Sequence, residues 1–314
     1  MRNFLQGARG AVTARRGGLA VLALACSLLA AAPGGAVPLG NEQGTVPPQG
    51  DDPPLPSGEE VLHRVLARVT NPAMRLLAAQ FRSVQHTEIE KLDEKGNVRE
   101  REDRIYDVGP LGGGVYARLV ERNGKSLSPT DLRDEQEREQ RFLERSKTQT
   151  FGGGDSDRVP LDRELFDRYK GEVVGRESWN GRPAIVLHFW PRSNDLPIRR
   201  RQDYVLNKLT GKVWIDEQDW EIVKVDAHLS DRVRVMLGLI ATLDRVDLDF
   251  EQMRMGEGMY LPLKLSARFD GRKLFTALHE QVEVRWTGQR PAVETTAAPA
   301  SGPAPGSGAI KPRQ

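Results

Sequence analysis

The sequence predicts an α+β domain built around a large antiparallel sheet with one buried face and one wet face. Three observations carry this. From Lys212 to Trp286 apolar residues recur at every second position: Val213 and Ile215, then Val223, Val225, Ala227 and Leu229, then Val246, Leu248 and Phe250. Leu261, Leu263, Leu265, Ala267 and Phe269 follow, and then Val282, Val284 and Trp286, all interleaved with polar residues such as Lys224, Asp226, Asp247 and Asp249. That is the side-chain period of a strand packed on one side only. Second, the joints Glu217-Gln218-Asp219, Gly256-Glu257-Gly258 and Asp270-Gly271 are short enough for hairpins, so neighbouring strands run antiparallel. Third, an amphipathic helix precedes the strands, which supplies an apolar stripe to lay on the sheet.

The elements follow in chain order. Arg2, Arg9, Arg15 and Arg16, with no acid among them, lead into an apolar run from Leu19 to Ala32 and then Pro33-Gly34-Gly35-Ala36. This is the layout of a secretory signal over residues 1–36, and the run is shorter than the about 18 to 20 residues of a spanning helix. Arg15-Arg16 leaves a twin-arginine route open beside the general one. Cys26 sits inside the apolar run, with Leu24 misplaced for a lipidation signal, and reads as a passive residue of the leader. Its removal leaves a chain without cysteine, so no disulfide or thiolate metal site is expected and a core must supply the stability. Removing the four leader arginines from 46 basic residues leaves 42 against 44 acidic ones, a net charge of −2. No basic field then argues for nucleic acid.

Residues 37–56 are rich in proline and glycine and read as a flexible linker. Ser57-Gly58-Glu59-Glu60 is a capping box, followed at helical spacing by Val61, Leu62, Val65, Leu66 and Val69, with a stop at Asn71-Pro72. A second short helix is expected through Met74, Leu76, Leu77 and Phe81. Three strands at the wetter edge of the sheet are expected from Ser83 to Arg122, with turns at Asp93–Asn97 and Asn123-Gly124. Ser128-Pro129 opens a charged helix that reaches Lys147. Its few large apolar residues, Leu132, Phe142 and Leu143, predict a solvated excursion, the alternative being a partner-docking arm.

Gly152-Gly153-Gly154-Asp155 is a loop, and Leu161 to Tyr169 holds a helical turn. Val173 to Ser178 and Pro183 to Trp190 form a hairpin around Asn180-Gly181. Arg192 to Arg201 is irregular, and Arg199-Arg200-Arg201 reads as a solvated loop, the alternative being at most peripheral contact with anionic lipid heads. Residues 287–314, dominated by Pro, Ala, Gly, Ser and Thr, read as a disordered tail. One domain over residues 57–286 remains.

Marks of chemistry are missing from this pattern. His63, His86, His188, His228 and His279 are scattered without the spacing of a zinc site, so no metal and no cofactor is expected. Gly124-Lys125-Ser126 imitates the end of a phosphate loop, but Leu119 stands where its first glycine belongs. There is no Gly-x-Ser-x-Gly elbow. The expectation is a binding protein with no catalytic residue.

One resemblance sharpens this. Asn180-Gly181-Arg182-Pro183-Ala184, then Gly211-Lys212-Val213-Trp214-Ile215-Asp216 with Trp220-Glu221-Ile222-Val223-Lys224, and finally Tyr260-Leu261-Pro262, resemble the periplasmic lipoprotein-carrier superfamily. That group includes the Lol carriers, their outer-membrane receptor and secreted bacterial proteins called outer-membrane lipoprotein-sorting proteins. The likeness runs from Met74 to Trp286. It implies an incomplete, curved antiparallel barrel whose open, concave side is covered by helices and whose hollow holds acyl chains. On that basis the expected partner is a lipid or a lipoprotein's acyl chains, in the periplasm, and the ligand-facing residues are Val223, Val225, Leu248, Phe250, Leu263, Leu265 and Val284. The alternative is an envelope regulatory or assembly protein that uses the same shell to bind a protein. The greater length, the charged helix and Arg199–Arg201 depart from the carriers.

Overall fold

The computed structural model of the chain describes residues 53–71, 73, 80–148, 161–235, 241–256, 258–274 and 276–292. The leader, most of the 37–56 linker, residues 74–79 of the expected Met74–Phe81 helix, the Gly152–Asp155 loop and residues 293–314 lie outside them, and Phe81, expected in that helix, begins a strand instead.

Helix α1 (Gly58–Val69) is followed by strands β1 (Phe81–Leu92), β2 (Val98–Leu111), β3 (Gly114–Arg122) and the two-residue β4 (Lys125–Ser126). After helix α2 (Pro129–Thr148) come the short α3 (Arg163–Phe166), β5 (Tyr169–Trp179), β6 (Arg182–Pro191) and the short α4 (Asp203–Leu206). The chain closes with β7 (Leu209–Asp216), β8 (Ile222–Leu229), β9 (Val233–Val235), β10 (Ala241–Gly256), β11 (Met259–Lys273) and β12 (Thr276–Pro291). Among the described residues all strands join one twelve-stranded antiparallel sheet in the order β4-β3-β2-β1-β12-β11-β10-β8-β7-β6-β5, with β9 beside β10. β4 and β5 end the path without meeting, so the sheet is open.

The pairing stacks the alternating residues into one layer. Phe250 lies opposite Val225 and Leu265, and Leu265 lies opposite Val284. With Leu248, Ala267, Phe269, Val282 and Trp286 they form the main core cluster. Removing such a face from water is the main driving force that holds a sheet of this kind together. The Asn180-Gly181 hairpin forms as expected, both residues having positive φ (48° and 75°), the requirement of a type I′ turn.

Three further expectations are corrected. Asp270-Gly271 is not a joint, since β11 runs through it to Lys273 and the chain turns at Leu274, which has φ 54°. Gly271 serves a close strand approach instead: a Cβ there would sit 2.1 Å from the Thr242 carbonyl oxygen of β10. The sheet also passes Trp286, because β12 continues to Pro291 and pairs Arg290 and Pro291 with Arg82 and Phe81.

The charged helix α2, finally, does not project into water. Its Glu135 is buried and accepts from the Tyr116 hydroxyl at 2.8 Å, and the Phe142 ring lies 5.0 Å from that of Tyr116. Arg118 pairs with Glu139 at 2.7 Å, and Arg138 donates to the Ala117 carbonyl. β3 has a strand partner on this side only at Glu121 and Arg122, so α2 lies along an otherwise open edge. Covering an edge in this way removes a template for unwanted strand pairing. The sequence pattern reads wrongly because the contact is made by two acids, two arginines and two aromatics instead of an apolar stripe.

Candidate ligand cavity

The helices on the far side from α2 build the candidate site. α1 starts where Ser57 Oγ accepts from the Glu60 amide at 3.2 Å, a cap that fixes the first turn. Its buried stripe of Val61, Val65 and Val69 packs on Ile185, Leu187 and Ile215 of β6 and β7. α3 is capped by Asp162, whose Oδ1 accepts from the Leu165 amide at 3.0 Å. α4 begins at the fully buried Asp203, whose Oδ2 accepts from the amides of Arg199 at 2.7 Å and Arg200 at 2.8 Å. These side-chain bonds fix the starts of α1 and α3 and the loop that enters α4.

Between these layers lies a cavity of about 130 Å³. Its helical wall is Leu62 and Val65 of α1, Leu165 and Phe166 of α3, Leu161 just before it, and Leu206 of α4. The sheet contributes Tyr169, Leu187, Phe189, Leu209, Val213, Ile215, Ile222, Val225 and Leu248. The one hydroxyl among these side chains, that of Tyr169, already donates to the Leu206 carbonyl at 2.8 Å. Nothing in the lining asks for water. Apolar cavities of about 150 Å³ stay dry and bind ligands the size of benzene, so this one suits a ring or a short alkyl segment as it stands.

Of the seven expected ligand-facing residues, Val225 and Leu248 line this cavity. Phe250, Leu265 and Val284 are fully buried in the core layer and do not line it. Two others lie elsewhere, and β-bulges are the reason. In β8, Ile222 pairs with Ile215 and Lys224 with Trp214, so Val223 is the extra residue. It packs with Ala184, Tyr260 and Leu261, beside Trp179 and Trp214, in a separate cluster. In β11, Pro262 pairs with Gln252 and Lys264 with Glu251, so Leu263 is skipped and left 37% exposed. The sequence marked Leu62 and Val65 as part of the α1 stripe and Val213 and Ile215 as alternating strand residues, without assigning any of them to a ligand site. What the sequence did not show was which strands the helices cover.

Two charged hubs hold the walls. At the end of α1, Arg68 Nε donates to Glu221 Oε2 at 2.8 Å and the same guanidinium donates to the Gly258 carbonyl. Glu221 is almost fully buried; burial pushes its carboxyl above the usual range in spite of the opposing pull of Arg68. Next to it, Arg182 makes a two-toothed bond to Asp216 (2.5 and 2.8 Å), and Asp219 Oδ2 accepts from Arg182, Arg254 and the Tyr260 hydroxyl. Burial pushes the Asp216 carboxyl up, but the bonds from Arg182, from the Asp219 and Gln218 amides and from Tyr260 outweigh it and hold the group below the usual range. These acids are all engaged in ion pairs and turn bonds. None of the five histidines lines the cavity, and His279 pairs with Asp270 at 2.7 Å.

No protein-family profile matches the sequence, and no curated protein is significantly similar to it. Among solved structures, the chain is similar to a domain from Vibrio parahaemolyticus described as of outer membrane lipoprotein-sorting type. The identity is 13% and the TM-score 0.35, over 76% of this chain and 94% of that one. It is similar to a LolA superfamily protein from Nitrosomonas europaea at 11% identity and TM-score 0.31, over 76% and 94%. It is also similar to the MucA/MucB complex structure from Pseudomonas aeruginosa at 11% and 0.22, over 76% and 99%. These likenesses are distant, and the functional reading rests on the cavity itself.

Proposed function

We propose that the chain is a periplasmic, non-enzymatic carrier or binding module for a lipidated or otherwise apolar ligand, held between α1, α3, α4 and strands β5–β8. The observation that carries this reading is a cavity walled by apolar side chains whose single hydroxyl is already satisfied. A well-packed interior leaves few voids larger than a water molecule, so an apolar space of this size beneath a layer of short helices marks a place where a guest gains contacts. The leader-like start of the sequence supports a periplasmic setting. Lipoprotein sorting to the outer membrane is the form of this function in which the guest is a lipoprotein's acyl chains.

At about 130 Å³ the cavity is smaller than the roughly 300–1,000 Å³ of typical ligand sites. A whole acyl chain therefore enters only if α1 or α3 moves outward. Val225 and Leu248 are the ligand contacts retained from the sequence, with Val213 and Ile222 beside them.

One observation favours a second reading, an envelope protein that binds another protein. The outward side of α2 presents Arg133, Asp134, Glu137, Arg141 and Glu144 to solvent. Organic extraction and mass spectrometry of chain purified from its bacterial host separates the two. Stoichiometric lipid is the expected result; lipid-free protein that takes up no added acyl chain would leave only the second reading.

A further inference from the structure

Beside the helical wall of the cavity the chain gathers guanidinium groups. Glu164 lies next to the lining residue Leu165, and its Oε1 faces three arginines: Arg168 Nη2 at 3.0 Å, Arg200 Nη2 at 3.4 Å and Arg199 Nη1 at 3.7 Å. The second carboxylate of the group, Asp203, is spent on capping the backbone of Arg199 and Arg200, with its Oδ1 3.1 Å from Arg168 and 3.8 Å from Arg200 Nε. Arg168 is buried and anchored further by donating to Asn207 Oδ1 at 2.7 Å. Three positive charges thus meet two negative ones. The surplus falls on Arg199 and Arg200, whose side chains keep 67% and 36% exposure.

Other acids nearby do not cancel it. Asp167 pairs with Arg163, and Asp162 caps α3. Asp195, exposed on the same loop, is balanced by the exposed Arg192 and Arg201, which have no carboxylate partner among the described residues. Because Asp203 fixes the amides of both residues, the backbone that carries Arg199 and Arg200 is pre-set with their guanidinium groups beside Glu164, the chain neighbour of the lining residue Leu165. A planar guanidinium matches the paired oxygens of a carboxylate or phosphate.

We propose that the guest is an anionic amphiphile: an alkyl segment in the cavity and a carboxylate or phosphate head on Arg199 and Arg200. This rests on the reading of the cavity as an apolar-ligand site. The test is displacement of a fluorescent acyl probe from the full chain by dodecanoate, dodecyl phosphate, dodecanol and inorganic phosphate. Wild type is expected to prefer the two anionic amphiphiles over the alcohol by about tenfold, a ratio typical of charge-assisted bonds. The preference should shrink as salt rises. Inorganic phosphate alone should displace nothing.

In an Arg199→Gln/Arg200→Gln variant the preference should vanish. Arg199→Gln alone, at the most exposed position, should reduce it while the melting temperature holds, which covers the case of a misfolded double variant. Equal binding of alcohol and acid by wild type, a preference untouched in Arg199→Gln, or displacement by phosphate alone would overturn the proposal and leave the cavity reading standing. Failure of every amphiphile to displace the probe, or of the probe to bind, would remove the cavity reading itself.

Discussion

Leu263 and Leu265 stand two positions apart in one strand, and by strict alternation they share a face. The bulge opposite Glu251 and Gln252 separates them: Leu265 is fully buried and Leu263 is partly in solvent. Leu265→Ala should cost about 2–5 kcal/mol in urea unfolding, the range of a core leucine. Leu263→Ala should stay within about 0.5 kcal/mol. Equal costs would refute the register. This is also where the sequence stops being legible. A bulge depends on the partner strand: Pro262, which cannot donate to the ladder, is the one local mark of the slip in β11, and nothing within Ile222–Leu229 marks the one in β8, so Val223 and Leu263 keep perfect alternation on paper while lying off the layer.

Asp216 shows what the same scale predicts for pH. Its folded carboxyl lies below the ordinary value of 3.8, so its bonds stabilise the fold fully above that value and are lost as pH falls through the depressed one. Asp216→Asn should cost about 2 kcal/mol at pH 7, and its stability should fall less steeply than wild type on acidification below pH 4.

At the scale of elements, α1 supplies Leu62 and Val65 to the cavity wall, and its attachment at one end is electrostatic. Arg68 and Glu221 are both largely buried, and removal of one partner from such a pair typically costs about 3–5 kcal/mol. Arg68→Met should show a loss of this order in urea. The Glu221 carboxyl, already raised by burial, would rise further without its cation, so the deficit should grow as pH rises from the wild type's raised value to the variant's higher one and shrink as pH falls below the wild type's. A deficit independent of pH between 4 and 8 would mean that Arg68 acts only through packing. The capping box and the Val61, Val65, Val69 stripe made α1 legible from sequence. α2 was legible as a helix but not in its placement, because Tyr116, Glu135 and Arg138 hold it to the β3 edge through polar bonds that no hydrophobic period reveals.

Across the whole molecule the twelve-stranded sheet divides its work: β10–β12 carry the dense core, and β5–β8 carry the helices and the space beneath them. The antiparallel pairing followed from short joints and alternation, whereas the open form of the sheet was implied only by the resemblance to the lipoprotein carriers. The position of the cavity was not foreseen, since it depends on where three helices of 12, 4 and 4 residues land on the sheet. A guest that binds only the folded chain stabilises it by mass action, and filling the space with a side chain should compete with that guest. The central claim is therefore tested most directly by Val213→Phe, which places a ring in the cavity from the middle of β7. Binding of a fluorescent acyl probe should be saturable and micromolar or tighter for wild type, and at least about tenfold weaker for Val213→Phe, with the melting temperature retained. A wild type that binds no probe, or a folded Val213→Phe that binds it as well as wild type, would contradict the account.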